Sequence, residues 1–81
     1  MAADLSAKEK VVGIKQTRRA VAKGTAARVY LACDADSRLT EPLRAMCALS
    51  GVDVVSDMTM QQLGRACAIS VGTAACALLA K

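Results

Sequence analysis

The stretch from residue 27 to residue 56, "ARVYLACDADSRLTEPLRAMCALSGVDVVS", alternates strand-forming and helix-forming segments. Residues 27–32 carry β-branched and aromatic side chains at their centre and lead into the polar "DADS", which predicts a strand followed by a loop. Residues 39–51 have the apolar spacing of a helix, and residues 52–56 form a second β-branched segment. A strand, a helix and a second strand in this order indicate an α/β fold.

Local signals set the expected bounds of the central helix. Thr40 is a plausible N-cap, Pro42 would then lie in the first turn, and Gly51 would end the helix. The apolar face that should meet the core consists of Leu43, Met46 and Cys47.

Two helical segments are predicted upstream of the first strand. The segment "LSAKEKVV", residues 5–12, is typical of a short helix that Gly13 interrupts. A second helix is predicted from about Lys15 to Lys23, with Gly24 just past its C-terminal end.

Downstream of the second strand, "MTMQQL" predicts the start of another short helix. Thr59 and Gln62 have capping-box spacing, and Met58 and Leu63 are placed as a hydrophobic staple. From Ile69 onward the strand propensity of "ISV" competes with the helical propensity of "AACALLA", and we predict a strand. The whole chain is therefore expected to form a three-layer αβα sandwich with a mixed sheet of about four strands.

Composition limits both the core and the cellular setting. The 81 residues are 54% hydrophobic and 22% charged, so we expect one compact domain over residues 1–81. Tyr30 is the only aromatic residue, so the core must be aliphatic. The N-terminus lacks the apolar region of a signal peptide, which favours a cytoplasmic location. The longest apolar stretch has about twelve residues and is too short to cross a membrane, which takes roughly 20.

Four cysteines occur without a CxxC pair, and the chain has no histidine. A mixed Cys/His zinc site is therefore excluded. We expect all four to be buried as small hydrophobic residues, with a four-cysteine metal site or two disulfides as the alternatives.

The helix that begins near Gly13 is predicted to be amphipathic. Its apolar side carries Ile14, Thr17, Ala20 and Val21, and its opposite side carries Lys15, Gln16, Arg18, Arg19 and Lys23. A glycine at its start allows close approach of a ligand, and the free N–H groups of a first turn attract phosphate. The alternative is an ordinary solvated basic face, since the net charge of +4 permits a polyanionic partner without requiring one.

Three segments together resemble the ribosomal superfamily named for the large-subunit proteins L-seven-Ae and L-thirty-e, in its bacterial YbxF-like and YlxQ-like branch. "VVGIKQTRRAVAKG" is similar to the family's glycine-led RNA-binding helix, and "VYLACDADSRLTEPLRAMC" to its strand, acidic loop and central helix. "LGRACAISVGTAACALL" is similar to its final helix, recognition loop and last strand. The resemblance covers nearly all of the chain and implies an αβα sandwich that binds kink-turn RNA, a bulged and sharply bent duplex flanked by tandem sheared G·A pairs.

The resemblance also implies which residues contact RNA. The helix residues would enter the major groove at the kink, and the loop residues would cover the extruded bulge nucleotides. These residues are Gly13, Ile14, Lys15, Gln16, Arg18, Arg19, Ile69, Ser70 and Val71. Many relatives have Asn and Glu where this chain has Lys15 and Gln16, which makes this surface more basic. The family often has Gly where Ala68 stands, and Ala tolerates positive φ less well.

Other functional classes have little support in the sequence. Asp34 and Asp36 could pair for acid–base chemistry, but Asp in a turn more often caps nearby backbone, so we predict no catalytic residues. Phosphate-binding glycine motifs are lacking, so no nucleotide cofactor is expected, and the cysteines are expected to bind no metal. We predict a monomeric, non-catalytic protein that binds ribosomal or riboswitch RNA. A protein–protein adaptor with the same fold is the alternative.

Overall fold

The computed structural model describes residues 9–80. Strands and helices alternate along most of the chain, in the order β1 (Lys10–Val12), α1 (Ile14–Lys23), β2 (Ala26–Ala32), α2 (Ser37–Ser50), β3 (Asp53–Met58), α3 (Met60–Ala66) and β4 (Ala75–Leu79).

One four-stranded mixed sheet has the order β1-β4-β2-β3. Strand β4 is antiparallel to both β1 and β2, whereas β2 and β3 are parallel. Strands β1, β2 and β3 therefore run in one direction, and each is followed closely by a helix. The three helices consequently begin at the same end of the sheet, beyond the C-terminal ends of β1, β2 and β3, where β4 also starts.

Side-chain alternation along the strands builds a core on each face of the sheet. On one face, α1 and α2 cover a buried cluster of Ala20, Val21, Val29, Leu31, Leu43, Cys47, Ala75 and Ala77. On the other face, α3 covers a cluster of Tyr30, Ala32, Met58, Leu63, Cys67 and Cys76. This arrangement confirms the predicted αβα sandwich with a four-stranded mixed sheet.

Several predicted helix ends are confirmed. Gly24 ends α1 with φ 75°, and Gly51 ends α2 with φ 69°, both in the left-handed region that favours glycine. Thr59 and Gln62 form the predicted capping box, in which Thr59 N–H donates to Gln62 Oε1 and Gln62 N–H donates to Thr59 Oγ1.

The helix predicted over residues 5–12 is wrong for residues 9–12, since Glu9 is outside any helix and residues 10–12 form the strand β1, while residues 5–8 lie outside the described part of the chain. The three residues of β1 gain their ladder bonds from β4, whose sequence lies more than sixty residues downstream. Helix propensity depends only on neighbouring residues, so it cannot predict this distant pairing. The pairing overrides the local preference for a helix.

The predicted start of α2 is also wrong. The helix begins at Ser37, and Asp36 caps it by accepting a hydrogen bond from Arg38 N–H at 2.9 Å. Thr40 is buried within the helix, and Pro42 lies in its second turn. Pro42 has no N–H for the Arg38 carbonyl, but both residues are exposed, so water can satisfy that oxygen.

The last strand begins at Ala75, so the strand predicted from Ile69 is wrong for residues 69–74. Backbone N–H groups of this segment bond to α3 instead: Ile69 N–H donates to the Gly64 carbonyl at 3.0 Å and Thr73 N–H to the Met60 carbonyl at 3.1 Å. These bonds hold the segment as a loop, in agreement with the family resemblance.

The cysteines divide into three buried residues and one exposed one. Cys47, Cys67 and Cys76 are buried, as predicted, whereas Cys33 is exposed because it lies just beyond the end of β2; all four are free thiols. Burial, together with hydrogen bonding and charge interaction with Cys67, raises the pKa of the Cys76 thiol to about 12. Residues 9–80 contain no group of three or more metal-ligating side chains. No helix in that range has the length and apolar character needed to cross a membrane.

Candidate nucleic-acid interface

The start of α1 depends on the backbone conformation of Gly13. Its φ of 107° and ψ of 157° are accessible to glycine and strained for other residues, although space is open where a side chain would project. Gly13 offers no side chain to cap the first turn, so amide N–H groups at the start of α1 remain available to an anion.

The two sides of α1 are as different as the sequence predicts. Thr17, Ala20 and Val21 are buried against the sheet. The exposed residues are Lys15, Gln16, Arg18, Arg19, Ala22 and Lys23. Ile14 is half-buried and packs on the core beneath α1, so its side chain contributes less surface than those of its neighbours.

Helix α1 carries four cations, Lys15, Arg18, Arg19 and Lys23, and no acidic residue of its own. Its first turn holds no acidic residue. The two exposed ion pairs seen within residues 9–80 join Arg38 to Asp36 at 2.8 Å and Arg44 to Glu41 at 3.7 Å, and neither involves α1. A groove of about 470 Å³ flanks the helix, with Arg19 and Lys23 on its helical wall and Glu9 also in its lining.

The recognition loop, defined as residues 68–74, follows α3 and its cap residue. Ala68 has φ 62°, the left-handed conformation that the family resemblance associates with glycine. Ile69 is half-buried, Ser70 is exposed, and Val71 is 68% exposed. The loop therefore presents an apolar side chain to solvent.

Close packing on α3 fixes the path of the recognition loop. A methyl group at Gly64 would overlap the carbonyl oxygen of Val71, so the loop backbone crosses α3 at a residue without a side chain. Gly72 packs similarly on the backbone of Met60. Together with the hydrogen bonds to Gly64 and Met60, this packing gives the loop a defined conformation.

One carbonyl oxygen joins the recognition loop to the start of α1. The Ala75 carbonyl accepts hydrogen bonds from Gly13 N–H at 2.8 Å and from the Thr73 hydroxyl at 2.9 Å. These bonds bring two segments that are distant in sequence to the same end of the sheet: residues 13–19 and residues 69–71. We call their combined exposed surface the helix–loop surface.

Sequence reasoning missed the residues that support this surface. Gly64 and Thr73 carry no local signal, because their importance comes from contacts between α3, the loop and β4. Asp34 was predicted to cap nearby backbone, but its carboxylate accepts the Met60 N–H at 2.8 Å, from a residue far along the chain. Asp36 caps α2, and its hydrogen bonds with the Arg38 side chain and backbone lower its pKa.

Comparisons with known proteins agree with the fold. A model of the ribosomal protein L7Ae/L30e/S12e/Gadd45 family matches residues 2–81. The chain is 44% identical over 75 residues to an RNA-binding protein of Geobacillus kaustophilus, spanning 93% of this chain and 92% of that protein. It is 43% identical, with the same coverage, to the RNA-binding protein YbxF of Geobacillus stearothermophilus. A Giardia lamblia 15.5kD RNA binding protein has a similar structure, with a TM-score of 0.84 and 30% identity over 90% of this chain and 62% of that chain.

Proposed function

The chain belongs to the ribosomal protein L7Ae/L30e/S12e/Gadd45 family, in the bacterial branch that includes YbxF, and we propose that it recognises and stabilises kink-turn RNA. The observation that carries this proposal is the helix–loop surface. It combines the positive charge of α1 with an exposed apolar loop, and Gly13 before α1 and Thr73 in the loop both bond to the Ala75 carbonyl.

The α1 side of this surface is suited to phosphate and to base edges. The uncapped first turn after Gly13 offers N–H donors and the positive end of a helix dipole to a phosphate. Lys15 and Arg19 supply only donors, which match guanine O6 and N7, whereas Gln16 both donates and accepts. In this proposal these side chains enter the major groove where the kink widens it, and Arg18 neutralises backbone charge.

The recognition loop covers the bulge by shape rather than by stacking. The single aromatic residue, Tyr30, is buried in the sheet core, so it cannot serve as a stacking platform. Ile69 and Val71 instead present aliphatic surface to the unpaired nucleotides, and Ser70 offers a hydroxyl between them. RNA-binding modules that stack bases on exposed aromatic rings work differently.

The proposed action is a population shift without catalysis. A protein that binds the kinked conformation more tightly than the extended one moves the equilibrium by its difference in affinity. We propose that it acts as a cytoplasmic monomer and takes no cofactor, with ribosomal or riboswitch RNA as the partner.

A gel-shift titration tests the proposal directly. The probes are a kink-turn RNA and a matched RNA in which Watson–Crick pairs replace the sheared G·A pairs. Preferential binding to the kink-turn is expected, and equal affinity for the two RNAs would contradict it. Lack of binding to either RNA would favour a protein–protein adaptor. Sequencing the RNA that copurifies with the protein would identify the natural target.

A further inference from the structure

Thr73 makes two hydrogen bonds that point to different parts of the fold. Its backbone N–H donates to the Met60 carbonyl of α3 at 3.1 Å, and its hydroxyl donates to the Ala75 carbonyl of β4 at 2.9 Å. The residue is only 8% exposed, so water does not readily replace either bond. Thr73 therefore ties the end of the recognition loop to a helix on one side and to the sheet on the other.

The second of these bonds reaches the basic helix through a shared acceptor. A backbone carbonyl has two lone pairs, and the Ala75 oxygen uses them for Gly13 N–H and the Thr73 hydroxyl. The Gly13 bond fixes where α1 starts, and the Thr73 bond fixes where the loop ends. The position of the recognition loop relative to α1 consequently depends on one shared acceptor, the Ala75 carbonyl oxygen.

We propose that Thr73 is a positioning residue for RNA recognition, and that its hydroxyl holds the recognition loop in register with α1. The inference rests on the proposed function and adds to it a residue that does not itself face the RNA. An RNA that must touch α1 and the loop at once gains affinity when their relative position is fixed before binding. A straight duplex that uses only the charge of α1 gains nothing from this arrangement.

The side-chain hydroxyl is the essential group in this account. Thr73→Val keeps nearly the same shape and the backbone bond to Met60, but it cannot donate to Ala75. Thr73→Ser keeps the hydroxyl and loses only a methyl group. A matched control is Thr25→Val, because the Thr25 hydroxyl donates to the Ala20 carbonyl at 3.2 Å near the end of α1 remote from the loop.

The experiment measures the affinity of each variant for the kink-turn RNA and for the G·A-replaced RNA, together with its thermal unfolding midpoint. We expect Thr73→Val to bind the kink-turn about tenfold more weakly, the effect of one net hydrogen bond, with unchanged binding to the control RNA. Thr73→Ser and Thr25→Val should retain the preference of the unmodified protein. If the valine variant does not fold, Thr73→Ala provides the same comparison with a smaller side chain.

The outcomes separate this inference from the proposed function. If the unmodified protein shows no preference for the kink-turn, the proposed function fails and the positioning role fails with it. If the preference exists but Thr73→Val keeps it, only the positioning role is overturned. Equal weakening for both RNAs would also overturn it, because that result indicates a purely structural threonine.

Discussion

At the scale of single residues, the recognition loop contains a strained backbone position. Ala68 is the one non-glycine residue between positions 9 and 80 with positive φ, at 62°. An L-residue in this conformation has its Cβ close to the following carbonyl oxygen, at a cost of roughly 1–2 kcal/mol. The family resemblance identified this position from sequence, because it implies a glycine there.

Ala68→Gly should therefore stabilise the fold, by up to about 1 kcal/mol after the greater freedom of glycine in the unfolded chain is subtracted. Urea unfolding should show a higher midpoint with an unchanged slope. Ala45→Gly, at an exposed position in the middle of α2, is the matched control and should destabilise by about 0.5–1 kcal/mol. A lower midpoint for Ala68→Gly would mean that the alanine methyl group makes contacts that outweigh the strain.

The cysteines give a second prediction at this scale. At pH 8 the Cys76 thiol, with its pKa raised to about 12 by burial and by Cys67, is almost entirely protonated and shielded from reagents. Iodoacetamide should modify Cys33 in the native protein and all four cysteines after unfolding. Mass spectrometry of the labelled peptides measures this. Rapid labelling of Cys76 in the native state would show that the sheet face beneath α3 opens readily.

At the scale of helices and strands, the sequence correctly predicts the helix ends that neighbouring residues determine. Glycine ends two helices and a Thr–Gln pair caps a third, because these signals act within one turn. The strand β1 and the start of α2 were mispredicted for different reasons. Pairing with β4 determines β1, whereas Asp36 offered a stronger cap than Thr40, one turn earlier.

Within α1, alanine substitutions should separate base readout from charge. We expect Arg19→Ala and Gln16→Ala each to reduce the free energy of binding to the kink-turn by about 1–3 kcal/mol. The loss for the G·A-replaced RNA should be much smaller, since a base-edge contact exists only at the kinked site. Lys23→Ala, at the last residue of α1, should weaken binding to both RNAs about equally. Titration of each variant against both RNAs measures the difference. If the Arg19 and Gln16 variants keep the preference for the kink-turn RNA, then α1 contributes only electrostatic attraction and does not read bases.

In the recognition loop, Val71→Asp should weaken kink-turn binding while leaving the thermal midpoint nearly unchanged. The side chain is 68% exposed, so an aspartate there loses little packing but places negative charge against RNA. Melting followed by circular dichroism and a gel shift report the two effects. Collapse of the midpoint would show that Val71 is required for the fold.

At the scale of the whole molecule, the site results from sheet topology. Gly13 and the recognition loop are separated by more than fifty residues, and the β1–β4 pairing places them side by side. No spacing in the sequence encodes this proximity, so the basic helix could be found from its pattern while the loop was identified only by resemblance. Thr73 was missed for the same reason, since its partner atoms lie on β4 and α3.

Charge is also distributed unevenly across the molecule, which measures about 29 × 29 × 22 Å. The cations of α1 lie on a helix that packs against β4 and β1, with Glu9 on the same side, whereas Asp53 and Asp57 lie on the opposite edge strand, β3. Three inter-strand spacings, about 14 Å, separate β1 from β3, which exceeds the Debye length of about 8 Å at physiological salt. Phosphate neutralisation should consequently involve α1 and not the β3 side.

This asymmetry predicts how salt affects RNA binding. The logarithm of the association constant should fall linearly with the logarithm of salt concentration, because bound cations release counterions from phosphates. Lys23→Ala should make the slope shallower by about one unit. Arg44→Ala removes an equal charge next to Glu41 on α2 and should leave the slope unchanged. Fluorescence anisotropy between about 50 and 200 mM salt covers the range in which such contacts respond. Equal slope changes in the two variants would mean that net charge alone, rather than the position of α1, attracts the RNA.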